Sequence, residues 1–330
     1  MRPLVLVLVF VLVGCARSEG SGLRSTSSQA CASCHVEQAS DFALSRHAHA
    51  TESAVFQALL PHVAESWGEA ARARCVSCHQ PPHGDDQAIG CVSCHAAVGD
   101  RGARDGRLVL DLDAPMMTAN ANVDAPHPTR TSGLLRSSEL CASCHEVTGP
   151  DLFVEHTGTE NAMAITATGA PECAGCHVPA HESGAHDHRF AGLDAASLDT
   201  ALELRFVAGA LELENVGAAH SVPTGVAFFR DVWVDLEVTH ADGTHETLPR
   251  VIELGDRPMR GAEPVALPTD ADRVEENRLA PFEIRRVALD PSVVSATATL
   301  HARSYRASVL TALALDPAQS VVLDVSTARF

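Results

Sequence analysis

The sequence predicts an α + β chain in two domains, a mostly helical and loop domain with little regular core followed by an all-β sandwich. Up to about residue 192, short stretches with helical spacing, such as 37–60 and 137–147, alternate with segments rich in Gly, Pro and Asp. After about residue 200, apolar and polar residues alternate with a period of two. Aromatic residues make up only 4% of the chain, so something else must supply large flat apolar groups in the first domain.

The first thirty residues predict export. Residues 4–13 form an apolar run too short to span a bilayer, and Leu12-Val13-Gly14-Cys15 resembles the lipobox of bacterial lipoproteins. We therefore predict a signal peptide over 1–14, a lipidated Cys15 and a flexible tether over 15–30. The alternative is a plain signal peptide with an incidental cysteine. The expected location is the outer membrane, facing the periplasm or the cell surface, with the lipid anchor as the only membrane attachment.

Eleven cysteines divide into Cys15 and five Cys-x-x-Cys-His motifs. Two thiols three positions apart can add to the vinyl groups of one haem, and the adjacent histidine can bind its iron. Disulfides or zinc sites would use the cysteines but leave the histidine unexplained. The sequence thus predicts five haem c groups in a pentahaem cytochrome c domain over 31–198, with short helices joined by loops and few strands. The motifs are Cys31, Cys34 and His35; Cys75, Cys78 and His79; Cys91, Cys94 and His95; Cys141, Cys144 and His145; and Cys173, Cys176 and His177.

The second and third motifs are only sixteen residues apart, which predicts a closely stacked pair of haems there. From residue 199 to 330, about seven short strands with turn signals between them, including Asp242-Gly243, predict the β-sandwich domain. Its expected role is that of a structural cap or docking surface.

Each haem iron has a second axial position, and thirteen of the eighteen histidines, 18 − 5, lie outside the motifs. Several segments resemble the cytochrome c-554-like multihaem family, and this resemblance implies that His47, His188 and His220 are distal ligands, with His188 favoured over His186. Val178 stands where the family usually has methionine. For His127, a role as ligand and a role at the surface are equally favoured. His83, His49 and His156 compete for a fifth ligand site. His62 and His181 are expected to be structural or surface residues. The segments are Cys31–His35 with Asp41-Phe42 and 45–48, 134–140 before Cys144–Val147, Cys176–Pro179, 188–192, and 215–225.

Three functions follow as hypotheses. A carrier that passes electrons through mainly bis-histidine haems is favoured, because spare histidines are abundant and the five methionines are not in ligand-like contexts. A reductase or oxidase of small nitrogen or sulfur compounds would need one open haem position; the chain has no Cys-x-x-Cys-Lys motif and only one tyrosine, Tyr305. A binding module would use the β-domain to recognise a partner. We expect no catalytic residues beyond the haem ligands.

The charge of the chain limits the classes of partner that we expect. All basic residues except histidine are arginines, and the formal net charge is −18. This excess of negative charge argues against nucleic acid or an anionic membrane surface. The expected partners are redox proteins that bring basic patches of their own. The sequence does not predict an oligomeric state.

Overall fold

The computed structural model describes residues 27–81, 88–100, 108–121, 123–149, 152 and 154–330. The predicted signal peptide, the lipidated Cys15, most of the predicted tether and His83 lie outside these residues. In the described part of the chain, no helix combines the length and the apolar character needed to cross a membrane.

Short helices dominate the chain up to Ala201. The side chains of Ser27, Ser53 and Asp194 cap α1, α3 and α9 by accepting hydrogen bonds from backbone N–H groups. In the described residues the helices are α1 Ser28–Ala32, α2 Val36–Phe42, α3 Ala54–Trp67, α4 Glu69–His79, α5 Cys91–His95, α6 Glu139–Ala142, α7 Thr157–Thr168, α8 Cys173–His177, α9 Ala195–Ala201 and α10 Ala307–Ala312.

The helical expectation over 37–60 is only partly met. Helix α2 ends at Phe42 and α3 begins at Ala54, and the turns between them contain His47. Buried Ser45 stabilises these turns, because its hydroxyl accepts a hydrogen bond from the Ala48 N–H at 3.1 Å. Helix α1 begins inside the segment predicted to be tether, at Ser28.

Strands are more common before α9 than the sequence predicts, but each of them is very short. They form three two-stranded pairs between the motif helices, and such short pairs leave little periodic signal in the sequence. The strands are β1 Ala97–Asp100 with β2 Leu108–Leu110, β3 Met116–Thr118 with β4 Thr129–Thr131, and β5 Val147–Thr148 with β6 Val154–Glu155.

The chain from Leu202 onwards forms antiparallel sheets. One sheet has the order β10-β9-β15-β16, a second has the order β14-β8-β7, and a third, smaller sheet has the order β12-β11-β13. The strands are β7 Leu202–Val207, β8 Ala210–Asn215, β9 Asp231–His240, β10 His245–Leu254, β11 Arg257–Arg260, β12 Glu263–Pro264, β13 Arg273–Glu275, β14 Ile284–Ala288, β15 Val293–Arg303 and β16 Leu323–Arg329.

The two larger sheets share one hydrophobic cluster. Leu211 and Leu213 from β8 and Val234 and Leu300 from β9 and β15 are fully buried in it. Burial of a leucine side chain stabilises a fold by about 2 kcal/mol, so the period-two alternation in the sequence reports a real core. The chain is therefore an α + β protein.

The boundary predicted between residues 198 and 199 falls inside α9. Leu198 on this helix is buried in the same cluster as the two larger sheets. A second cluster joins Val55 and Val63 of α3 to Phe229 and to Leu310 of α10. Apolar packing thus continues from the first part of the chain into the second.

Candidate haem-binding sites

Each pair of motif cysteines lies in or beside a helical turn. Helices α4, α5 and α8 end at the motif histidines, α1 ends inside the first motif and α6 inside the fourth. Residues three apart on a helical turn are neighbours, so each pair of thiols is presented together. Nine of the ten motif cysteines are in no disulfide within the described residues.

Four of the five motif histidines each face a histidine from elsewhere in the chain. The two ring centroids of each pair are slightly more than 6 Å apart. The pairs are His35 with His127 at 6.1 Å, His145 with His47 at 6.3 Å, His95 with His188 at 6.3 Å, and His177 with His220 at 6.2 Å.

This spacing fits two imidazoles on opposite sides of one iron. A metal–imidazole nitrogen bond is about 2.0 Å, and a ring centroid lies about 1 Å behind the nitrogen, so the two centroids would be about 6 Å apart. Two rings in direct van der Waals contact would be closer. The distances therefore leave room for one metal ion between the members of each pair.

In five of the paired rings and in His79, the hydrogen bond leaves the Nε2 nitrogen available to bind a metal. A carbonyl oxygen can only accept, so a ring whose Nδ1 contacts a carbonyl carries its proton there and keeps the Nε2 lone pair free. Metal-bound histidines usually hold their second nitrogen in this way. The carbonyl contacts are those of His79 with Ala50 at 3.1 Å, His95 with Met117 at 2.8 Å, His177 with Ala191 at 2.5 Å, His127 with Pro128 at 3.3 Å, His188 with His186 at 2.6 Å and His220 with Ser221 at 3.0 Å.

His79 differs from the other motif histidines. Its ring stacks on Phe56 with the centroids 4.0 Å apart and the planes 7° from parallel. Within the residues that the structure describes, no histidine ring is paired with it as in the four other motifs. The prediction for His83 lies outside those residues and stays a prediction.

The two remaining candidates for a fifth site differ in their ring nitrogens. Both ring nitrogens of His49 are engaged, Nδ1 with Glu52 at 2.7 Å and Nε2 with the Ala43 carbonyl at 2.9 Å. His156 contacts Glu146 through Nδ1 at 3.0 Å. His181, which is not among the ligand candidates named from the sequence, contacts Asp41 through Nε2 at 2.7 Å.

The motifs group in space in an order different from their order in the chain. Burial lowers the pKa of His95, and His188, His35 and His127 act in the same direction, so the first and third motifs are neighbours. The second and fourth motifs are neighbours too, because the thiols of Cys78 and Cys144 are hydrogen-bonded. These contacts favour stacking of the first with the third motif and of the second with the fourth. The sixteen-residue spacing predicts that the haems of the second and third motifs are close together, and these contacts do not support that prediction.

The two facing histidines of the fourth site have pKa values that are shifted in opposite directions. Burial lowers the pKa of His47 to about 4, and His145 and His79 add to this effect, so His47 is neutral and its lone pair is available. Burial also disfavours charge on His145, but the hydrogen bond and the negative charge of Glu155 outweigh burial and raise the pKa to about 9.

Sequence reasoning missed Glu155. Its side chain is buried and its Oε1 accepts a hydrogen bond from Nδ1 of His145 at 3.1 Å. A glutamate ten residues after a motif histidine has no distinguishing sequence pattern. Only the short β5–β6 pairing, in which Val147 lies opposite Glu155, brings the carboxylate back to the motif.

Comparisons with known proteins agree with a cytochrome assignment. The family model described as "Cytochrome c554 and c-prime" matches residues 30–96. No curated protein matches the chain. Among solved structures, a penta-heme cytochrome c552 from Thermochromatium tepidum has the same fold, with a TM-score of 0.68, 18% sequence identity, and 94% of this chain and 99% of that chain covered. The family model thus supports a cytochrome c segment over residues 30–96, and the structural match shows that the two chains share a fold.

Proposed function

We propose that the chain is an exported electron carrier that holds five covalent haems, mainly ligated by two histidines. The four pairs of facing histidines carry this proposal, because each pair leaves space for one iron and most rings keep Nε2 free. Covalently bound haem supplies a one-electron couple at each site. The name of the Thermochromatium tepidum protein supports the number five, since each of the five motifs here offers its own thiols and histidine.

The axial histidines in this proposal come from both parts of the chain. The motif histidines His35, His95, His145 and His177 are matched with distal His127, His188, His47 and His220, and the ten motif cysteines form the thioethers. His220 lies in the loop between β8 and β9, so the last third of the chain supplies one ligand. We propose that the two larger sheets form a β-sandwich domain that follows a pentahaem domain.

The proposed location is the outer membrane, with Cys15 as the lipid anchor and the haems facing the periplasm or the cell surface. The apolar run over 4–13 and the lipobox-like 12–15 support it. The net charge of −18 favours redox partners with basic docking patches over nucleic acid. Labelling with radioactive palmitate, lost on substitution of Cys15 by Ser, tests the anchor.

A second function, reduction or oxidation of a small nitrogen or sulfur compound, is favoured by one observation. His79 faces Phe56 and has no histidine opposite it in the described residues. If the second motif holds its iron through His79 alone, the free position can bind a small ligand. If His83 supplies the sixth ligand, the position is closed.

Spin states and ligand binding separate these two functions. A carrier with His83 as a ligand gives five low-spin haems that do not bind carbon monoxide, and His83→Ala then converts one haem to high spin. An open site gives one high-spin haem in the unaltered protein and no change in His83→Ala. More than one high-spin haem together with fast turnover of nitrite or hydroxylamine would contradict the carrier proposal.

A further inference from the structure

The fourth motif histidine has an anionic hydrogen-bond partner, whereas three of the other motif histidines have neutral ones. Nδ1 of His79, His95 and His177 contacts backbone carbonyl oxygens, at 3.1, 2.8 and 2.5 Å respectively. Nδ1 of His145 instead contacts the carboxylate of Glu155 at 3.1 Å. Among the four motif histidines with a described Nδ1 partner, His145 is therefore distinct.

The carboxylate is held firmly in place. Glu155 is 7% exposed, and its backbone belongs to β6, which pairs with β5 immediately after the fourth motif. The hydroxyl of Thr157 also donates to Oε1 of Glu155, at 3.1 Å, and the hydroxyls of Thr157 and Thr224 are hydrogen-bonded to each other at 2.5 Å. The acceptor is therefore positioned by strand pairing and by a second hydrogen bond as well as by His145.

The carboxylate accepts from two donors. Its Oε1 receives hydrogen bonds from Nδ1 of His145 and from the hydroxyl of Thr157, both at 3.1 Å, and each donor stabilises a negative charge on the carboxylate. A charge-assisted hydrogen bond is roughly twice as strong as a neutral one. The Nδ1 proton of His145 is thus drawn towards Glu155 more strongly than the other motif protons are drawn towards carbonyls.

Such a bond changes the electron density that a histidine offers to a metal. A carboxylate on Nδ1 raises the basicity of Nε2, and hydrogen bonding around the ligands is one of the factors by which a protein sets haem potentials. More electron density and a nearby negative charge stabilise the ferric state relative to the ferrous state. The potential of the haem therefore falls.

We propose that Glu155 lowers the reduction potential of the haem at Cys141, Cys144 and His145, making this haem a low-potential link in the chain. The thiols of the fourth motif are hydrogen-bonded to Cys78 of the second motif and to Cys173 of the fifth. Electrons that move between the second and fifth haems would pass this link. The inference rests on the proposed function, because it requires His145 to bind iron.

The test is a spectroelectrochemical titration of the full holoprotein and of Glu155→Gln. Gln keeps an oxygen that can accept from Nδ1 but has no charge. One low-spin haem should rise in midpoint potential so that its one-electron equilibrium constant changes at least tenfold, which is 59 mV. The centre that moves should be the one that leaves the low-spin set when His47 is replaced by Ala.

Glu212→Gln is the matched control. Glu212 on β8 is 6% exposed, as buried as Glu155, but its carboxylate accepts from Arg205 and Arg286 on neighbouring strands and not from a histidine. Its substitution should shift every midpoint potential by less than a third of the shift in Glu155→Gln. If Glu155→Gln does not fold, Glu155→Asp, which lengthens the contact and keeps the charge, should give a smaller rise in the same haem.

Two results would overturn the inference while leaving the carrier proposal intact. The first is five attached haems with unchanged midpoints in Glu155→Gln. The second is equal shifts in Glu155→Gln and Glu212→Gln, which would mean a general charge effect. Missing haem at the fourth motif in the unaltered protein would instead contradict the proposed function itself.

Discussion

At the scale of single residues, the state of each ring nitrogen separates ligand candidates from other histidines. His47 and His49 lie two positions apart in the same turn, and composition and helical spacing do not separate them. Both nitrogens of His49 are occupied, whereas the ring of His47 faces His145 at 6.3 Å. The choice between them follows from the fold.

This difference gives a matched pair of substitutions. His47→Ala should convert one low-spin haem to high spin, because the iron held by His145 loses its facing imidazole. His49→Ala should leave the spin-state count unchanged. Electron paramagnetic resonance of the oxidised proteins measures both. The same spin-state count in His47→Ala as in the unaltered protein would contradict the ligand role.

Sequence reasoning at this scale is strongest where the chemistry is local. Each of the five motifs is complete within one short segment, so the motifs can be found without any knowledge of the fold. The histidine that faces each motif histidine comes from a distant part of the chain, as in the pair of His47 and His145. Such pairs depend on tertiary structure. From the sequence, a ligand role and a surface role for His127 are equally favoured.

At the scale of elements, the start of α7 positions the environment of His145. A Cβ atom added to Gly158 would lie 2.6 Å from the Cβ of Ala142 on α6, which is closer than van der Waals contact allows. Glu146 also binds this turn, since its carboxylate accepts from the N–H of Thr159 at 2.8 Å. Close contact between α6 and α7 therefore holds Glu155 beside the fourth motif.

Gly158→Ala should force these helices apart. We expect a loss of about 1–3 kcal/mol in the free energy of unfolding, the usual cost of an added methyl group in a packed interface. Gly133→Ala is the control, because nothing lies within 4 Å of its Cβ position and its φ is −67°. Denaturant unfolding followed by circular dichroism measures both, and equal midpoints would contradict the close-packing account.

The strand-rich part of the chain was easier to anticipate than the helical part. Leu211, Leu213 and Leu300 alternate with polar neighbours, and all three are buried in the hydrophobic cluster of the two larger sheets. In the helical part, motif spacing predicted local turns, but no sequence pattern indicated the break at 43–53 or the short strand pairs. If haems bind there as proposed, their contacts and not residue periodicity determine that part of the fold.

At the scale of the whole molecule, a small ionic cluster connects the helical part to the loop of His220. Glu160 on α7 accepts from the backbone N–H of Ser221 at 2.8 Å and pairs with Arg278 at 2.8 Å. Arg278 is 12% exposed and also contacts Asp256 at 3.3 Å. The loop that presents His220 to His177 is thus fixed from α7.

Glu160→Ala should loosen this loop. The N–H of Ser221 would lose its acceptor, at a cost of about 1–3 kcal/mol, and the fifth haem should gain a high-spin fraction. Glu69→Ala, which removes an exposed acid paired with Arg72, should cost less than about 1 kcal/mol and change no spin state. A fully low-spin fifth haem in Glu160→Ala would contradict a positioning role.

The most direct test of the whole account is mass analysis of proteolytic peptides from protein matured in a host that attaches haem to exported chains. Each of the five peptides that contain Cys-x-x-Cys-His should carry one haem, including the peptide with Cys31 and Cys34. A motif peptide recovered without haem, with its cysteines as free thiols or as a disulfide, would contradict the account.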